Sequence, residues 1–386
     1  DDELEIVPPG TGAFEKSDFV QGHGVFGFIH SSWMVQSGEG GGSKDTPDFR
    51  AGKFLSTTKV QINTLLERMR FCRPFLSVCR SAAAILLILL FSMGLALAGT
   101  ISGDAELRGM VRGKPLILKT HHRVAGAIDS LVWDGVEFID STDHGRQLQS
   151  AVNADVDGQL WNECYNPTEA GSVVDGAGPA SSSVLEALSV QNGILTTRVR
   201  MAYWLAPGMS SGGHRALNSV NLSDHRLSKR VKFGFGDLDT VIDYRVTYRV
   251  PSDRPHRRIT IEALTGYMPA RFSEALAWNP DKATLEPLPW NPPGEIAHPV
   301  VLSTPSGSHA MGVFTPDCPA DGNPPVGYGR FEFQREGVVK WNCVFRLTSS
   351  VPLRPGDRSF QFYIVLGSRE DCRRSLEVLH RRFSRR

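Results

Sequence analysis

Between Asp143 and Glu169 the chain gathers residue types that can do chemistry. Asp143-His144-Gly145-Arg146-Gln147-Leu148-Gln149 is followed, after a short gap, by Trp161-Asn162-Glu163-Cys164-Tyr165-Asn166-Pro167-Thr168-Glu169. An imidazole, a guanidinium, carboxylates, a phenol and several amides fall in one short span. His144 or Tyr165 could remove or deliver a proton, and Arg146 could stabilise a developing oxyanion or bind a uronate carboxylate. Asn162 and Asn166, with the amides Gln147 and Gln149, are suited to hydrogen-bonding sugar hydroxyls or a carboxylate. Glu163 and Glu169 could serve as a carboxylate pair for acid–base work, and their separation would govern the outcome. At this stage hydrolysis and elimination are both open.

If residues 144 to 150 are extended, His144 and Arg146 share a face, because strand side chains alternate. His121, His122 and Arg123 stand at a strand end upstream, and His122 would bring a second imidazole to the substrate. Every one of these residues also has a structural reading. Asp143 and Gly145 can build a turn, Arg146 can be a buried ion-pair partner, and Glu169-Ala170-Gly171 can end a loop. What favours a site is the density of polar groups in the cluster as a whole. Aromatic side chains supply a second clue. Trp161, Tyr165, Trp204, Trp278, Trp290 and Trp341 are spread along the chain, and sugar rings stack on such faces. Trp278 and Trp341 are taken as substrate contacts, and Trp133 as core. His214, His225 and His380 are read as surface residues.

The elements that must position these groups are β-strands. From Thr240 to Val250, Ile242, Tyr244, Val246, Tyr248 and Val250 point one way, whereas Val241, Asp243, Arg245, Thr247 and Arg249 point the other. That is the signature of a half-buried antiparallel strand. A turn at 251–255 and a second alternating run, Arg258 to Ala263, predict a hairpin. Val184–Val190 and Ile194–Tyr203 flank Asn192-Gly193, a dipeptide suited to a tight hairpin. Further strands are expected at Pro115–Thr120, Ala127–Trp133, Ala310–Phe314, Gly329–Gln334, Val338–Leu347 and Ser359–Leu366, with turns at Asp134-Gly135, 335–337 and 355–357. Only Arg369–Phe383 reads as a helix, with Leu376, Leu379 and Phe383 on one face. Residues 171–183 read as a flexible loop and 275–299 as a long ordered irregular segment. Many strands joined by short turns predict an all-β fold, a large antiparallel β-sandwich with a short C-terminal helix.

Composition narrows the function classes. The 386-residue chain has a net charge of +1, so no strong field points to nucleic acid as a partner. Arg70, Arg73 and Arg80 flank an uncharged apolar run, Ala82 to Ala98, that closes with Ala96-Leu97-Ala98. This is the layout of a secretory signal peptide over residues 69–98. Residues 1–68 then read as a disordered or mis-assigned extension with Met69 as the true start, and residues 99–386 as an exported domain without membrane contact once the signal is cleaved. The other reading makes residues 82–98 a single membrane anchor with the same domain outside. Cys164, Cys318, Cys343 and Cys372 remain in the exported part. They allow two disulfides, or simply core cysteines. No CxxC pair or His/Cys cluster with zinc spacing occurs, so neither a metal nor any other cofactor is expected.

Three fragments carry a family likeness. Residues 126–140, GAIDSLVWDGVEFID, resemble an opening hairpin in which a sugar-facing strand is followed by G-x-E-hydrophobic. Asp143 to Gln149 falls where such proteins place polar site residues. Residues 353–367, LRPGDRSFQFYIVLG, resemble a closing proline–glycine turn and aromatic-alternating strand. Together they resemble the galactose-mutarotase-like supersandwich of aldose epimerases and of polysaccharide lyase β-domains. The resemblance implies a supersandwich fold and carbohydrate as the ligand class. His122, His144 and Glu163 match the epimerase His/His/Glu set only in type and order. The expectation is a carbohydrate-active protein working by elimination or hydrolysis, with His144, Arg146, Glu163 and Tyr165 catalytic. A non-catalytic glycan-binding module and sugar isomerisation are the alternatives.

Overall fold

A computed structural model describes residues 101–317 and 326–384. The signal-type segment, the extension before it and Cys318 lie outside the described residues. In chain order the strands are β1 (Ala105–Val111), β2 (Lys114–Thr120), β3 (Ile128–Trp133), β4 (Val136–Glu137), β5 (Leu148–Ala154), β6 (Pro167–Thr168) and β7 (Val184–Gln191). They continue with β8 (Ile194–Tyr203), β9 (Ser210–Ser211), β10 (His214–Arg215), β11 (Leu222–Phe235), β12 (Leu238–Val250), β13 (Arg258–Pro269) and β14 (Glu274–Asn279). The last are β15 (Thr284–Pro287), β16 (Gly294–Ile296), β17 (Val300–Ser303), β18 (Ala310–Phe314), β19 (Val326–Phe333), β20 (Val338–Thr348) and β21 (Gly356–Gly367), before helix α1 (Arg369–Phe383). The all-β fold with a short C-terminal helix expected from the sequence is what the chain adopts.

The pairings define two antiparallel layers. One runs β7-β8-β11-β12-β21-β18-β17-β14-β15, and the other β1-β2-β3-β5-β13-β20-β19-β16. The two-residue strand β6 joins them by pairing with both β5 and β8. Alternation decides which side chains fill the space between the layers. Ile242, Tyr244, Val246 and Tyr248 from β12 meet Ile259 and Ile261 from β13 and Trp341, Cys343 and Phe345 from β20 in one continuous core. Burial of such side chains stabilises by about 1.5–3 kcal/mol each before entropy is counted.

Tight turns fall where their residues tolerate left-handed backbone. Asp134-Gly135 has φ of 51° and 75°, and Asn192-Gly193 has 51° and 71°. Both central residues at positive φ make the two-residue hairpin turn that matches strand twist. Helix α1 begins at a capping box, in which Ser368 Oγ accepts from Asp371 N and the Asp371 carboxylate accepts from Ser368 N. Its buried Cys372, Leu376 and Leu379 cover Val241, Tyr363 and Val365 on the outer side of the first layer.

Three expectations are corrected. The strand 240–250 and the strand from Arg258 are not a hairpin: β12 pairs with β11 and β21, and β13 with β5 and β20. Residues 251–257 therefore carry the chain from one layer to the other, and no turn-length argument distinguishes that crossing from a hairpin. The segment 275–299 is not irregular; it holds β14, β15 and β16, short strands masked in the sequence by prolines at their ends. Cys164, Cys343 and Cys372 are all free and buried, so two disulfides do not staple the domain. Among the described residues no helix is long and apolar enough to cross a membrane.

Candidate functional site

The second layer has a face turned away from the core that carries a polar network, whose Glu262, Thr265, Lys340 and Asn342 side chains are themselves buried. On β20, Val339, Trp341, Cys343 and Phe345 go inward, which leaves Lys340, Asn342 and Arg346 on the other face. On β13 the bulge between Glu262 and Leu264 resets the alternation, so Glu262, Thr265 and Tyr267 share that face. The register then lines up Gln149, Thr265, Asn342, Gly329 and Glu295 across β5, β13, β20, β19 and β16. Glu262 Oε1 forms an ion pair with Lys340 Nζ at 2.5 Å and accepts from Asn342 Nδ2 at 2.9 Å and Thr265 Oγ1 at 2.5 Å. Lys340 Nζ also lies 5.0 Å from the Tyr267 ring centre and 5.4 Å from that of Phe331. Arg346 grips Glu295 with two bonds of 2.7 and 2.8 Å.

Two glycines on β19 make room for this network. A Cβ at Gly329 would stand 2.2 Å from Asn342 Oδ1, and one at Gly327 would stand 1.9 Å from Glu295 Oε2. Glu262 Oε2 and Asn342 Oδ1 have no hydrogen-bond partner among the described residues. Unsatisfied acceptors in a buried network are costly where they serve no purpose, and they are what a hydroxyl-rich ligand could satisfy.

Glu163 stands in a turn between β5 and β6, where its carboxyl feels the charge of Lys340. Its backbone sits at φ 65°, a left-handed conformation that a glutamate rarely adopts. The β9–β10 hairpin holds the turn in place. Ser211 Oγ donates to Glu163 Oε2 at 2.6 Å, Leu217 N donates to Cys164 O at 2.7 Å, and the His214 ring stacks on Trp161 at 3.7 Å with planes 3° apart. Trp161 keeps 41% of its surface exposed, so an aromatic face is presented beside the carboxyl. Burial raises the proton affinity of Glu163 above the usual carboxylate range, against smaller opposing effects from Ser211 and the Lys340 charge. Tyr267 is pushed well above its ordinary range by burial first, and then by the charges of Glu262, Asp143 and Glu163, with Arg146 opposing. Those charges therefore act on one phenol. Arg146 itself pairs with Asp143 at 3.2 Å.

Of the residues singled out in the sequence, the structure lets Asp143, Arg146 and Glu163 act through their charges on Tyr267 of this network. It places the others in different surroundings. Residues 144–147 are a turn and the strand begins at Leu148, so His144 and Arg146 do not share a strand face. His144 is fully buried, with Nδ1 2.6 Å from Gly176 O and Nε2 2.7 Å from Arg123 O. Both carbonyls can only accept, so this ring ties two loops together rather than facing a substrate. Tyr165 belongs to the core, where its ring meets Tyr203, His225 and His256. Burial raises the Tyr165 phenol above its ordinary value, which makes it a poor base.

Gln147 donates to Ser141 Oγ at 3.0 Å and to Asp143 O; Gln149 donates to Gly145 O at 2.8 Å and accepts from Ala170 N at 3.1 Å. Both amides thus hold the loop that carries Arg146. Asn166 donates to Val152 O, bracing β5. Glu169 is wholly buried in an ion pair with Lys229 of β11 and accepts from Ser150 N at 3.1 Å. It is therefore not the partner of Glu163 in a carboxylate pair. Trp341 is in the main core and Trp278 packs under α1, so neither is a stacking platform. His122 is exposed on a 3-10 turn, bonded to Asp104, and Asn162 is exposed beside Trp161. His225, read as surface, is fully buried.

Sequence reasoning missed Glu262, Asn342, Lys340 and Tyr267. A signal was present in the apolar alternation of 338–347, which sends Trp341 inward and thereby puts Lys340 and Asn342 outward.

No protein-family model matches this chain, and no curated relative does. Solved structures do. The Slr1438 protein of Synechocystis is 8% identical over 70% of this chain and 99% of its own, with a TM-score of 0.39. A galactose mutarotase-like protein from Lactobacillus casei is 10% identical over 68% of this chain and 99% of its own, with a TM-score of 0.38. An alpha-galactosidase from Lactobacillus brevis is 6% identical over 69% of this chain, which spans 40% of that enzyme, again with a TM-score of 0.38. The second of these carries the family description that residues 126–140 and 353–367 resemble, and at these TM-scores the likeness is a loose one that carries no argument about activity.

Proposed function

We propose that the polar outer face of the second layer binds carbohydrate and that Glu163 is its proton donor, in a protein exported by the signal-type segment 69–98. The observation that carries the reading is Glu163 itself. Its carboxyl is held at a left-handed turn, raised in proton affinity by burial, subject to the charge of Lys340, and two residues from an exposed indole. A carboxylic acid whose proton affinity is raised by burial is suited to protonating a glycosidic oxygen as the bond breaks. Glu262 offers a second carboxylate, whose Oε2 has no partner among the described residues. Thr265, Asn342 and Lys340, all buried and bound to Glu262, form the polar base beneath the site, and Trp161 supplies a stacking face. Arg146 remains suited to a uronate carboxylate.

These roles favour hydrolysis over elimination. Elimination needs a base, and the two phenols and the imidazole available for it are either pushed to high proton affinity or bonded at both nitrogens. The test is a panel of glycosides and polysaccharides, neutral and uronate, incubated with the full chain. Hydrolysis yields reducing ends without the ultraviolet band of an unsaturated uronate. The Glu163→Gln variant, with unchanged circular dichroism, should lose roughly 10²-fold or more in rate. An absence of both product and binding across the panel, or a fully active Glu163→Gln variant, contradicts the proposal. Binding without product supports a glycan-binding module on the same face.

A further inference from the structure

We propose that Asp104, His121 and His122 form a surface site for a divalent transition-metal ion, independent of the face that holds Glu163. One ligand atom from each of the three lies within 4.8 Å of the other two. Tetrahedral zinc with bonds near ~2.0–2.1 Å needs its ligands about 3.3 Å apart, so small side-chain rotations close the set. Parts of that geometry are already present. Asp104 carboxylate oxygens stand 2.9 and 3.0 Å from His122 Nδ1, and 3.8 Å from His121 Nδ1. The two imidazoles lie against each other with centres 4.3 Å apart.

The backbone fixes this arrangement. His122 N donates to Asp104 Oδ1 at 2.8 Å, which joins the segment before β1 to the 3-10 turn after β2. Thr120 Oγ1 donates to Gly103 O at 2.8 Å, and a Cβ at Gly103 would come within 2.4 Å of His122 Cα. Only glycine lets the two segments approach so closely, so Asp104 is brought to the histidines by the fold. Asp129, half-buried on β3, adds a carboxylate whose charge interacts with His121. All three ligand side chains are about half exposed, at 44%, 56% and 52% for His121, His122 and Asp104, so an ion and its water reach them freely.

The donor set selects the metal. Two imidazoles and one carboxylate suit zinc, cobalt, nickel or copper, whereas calcium and magnesium prefer all-oxygen sites. Water would fill the remaining positions. His121 Nδ1 now accepts from Arg123 N at 3.0 Å, capping the turn. A metal taken at that nitrogen replaces the cap, and Arg123 O is the acceptor for His144 Nε2. The sequence conceals the set because Asp104 lies far from the two histidines in the chain.

The experiment is a titration of the metal-free full chain with zinc by calorimetry, and with cobalt followed by its visible absorption. One zinc equivalent should bind, and magnesium should not compete. His122→Ala and Asp104→Asn should each weaken that equivalent by roughly tenfold or more, with unchanged circular dichroism. His121→Asn removes the imidazole but keeps a side chain able to cap the turn, so its loss of binding separates ligation from folding. The proposal is overturned if zinc fails to bind the wild-type chain, or binds the three variants as tightly as the wild type.

Discussion

Glu163 and His225 are both displaced from their ordinary proton affinities by burial, and in opposite functional settings. Glu163 stands in the candidate site, and its affinity is raised. A raised carboxyl binds its proton more tightly folded than unfolded, so it favours the folded state at low pH. That contribution fades as pH climbs from the unfolded value, near 4.5, through the higher folded one. The Glu163→Gln variant lacks this titration. Its melting temperature should therefore gain on the wild type as pH rises through that window, and a constant difference across pH would show that the carboxyl is not perturbed. His225 lies inside the sandwich and its value is depressed to about 3. Its neutral ring contributes stability that is intact above pH 6.5 and lost as pH falls toward 3. Chemical denaturation of His225→Gln across that range should show a shallower acid loss than the wild type, whatever the offset between them. Equal slopes would refute the assignment. Neither shift was legible in the sequence, because burial depends on partners distant in the chain.

Elements explain why the polar cluster near residue 150 divides into a site and a scaffold. The loop between β3 and β5 carries Arg146, and the amides of Gln147 and Gln149 are spent holding that loop. The segment around β6 joins the two layers, and Glu169 ties it to Lys229 on β11 with both side chains wholly buried. Removing one partner of such a pair leaves a buried charge. Lys229→Met should cost about 3–5 kcal/mol in chemical denaturation, and the double variant Glu169→Leu with Lys229→Met should recover most of it. Additive losses would show that the two are not coupled. The strand alternation at 240–250, the Asn192-Gly193 turn and the helix from Arg369 were readable because local pattern alone decides them. The layer change at 251–257 was not, since the same residues serve a hairpin or a crossing. The turn at 144–147 was equally opaque, because alternation was assumed where no strand begins until Leu148.

At the scale of the whole molecule, two layers share one apolar interior, α1 closes one outer side, and a polar network occupies the outer face of the other layer. The all-β class followed from strand count and turn chemistry. The polar face did not, because its residues come from β5, β13, β19, β20 and β16 and meet only through the register. The proposal that this face is a carbohydrate site with Glu163 as its acid is tested most directly by one measurement, the pH dependence of kcat/KM on the best glycoside of the panel. The account predicts a rate that falls as pH rises through the raised titration of Glu163, and a Glu163→Gln variant that is slower by roughly 10²-fold and lacks that limb. A variant with the wild-type rate and profile, or a wild-type chain that turns over no glycoside, would contradict it.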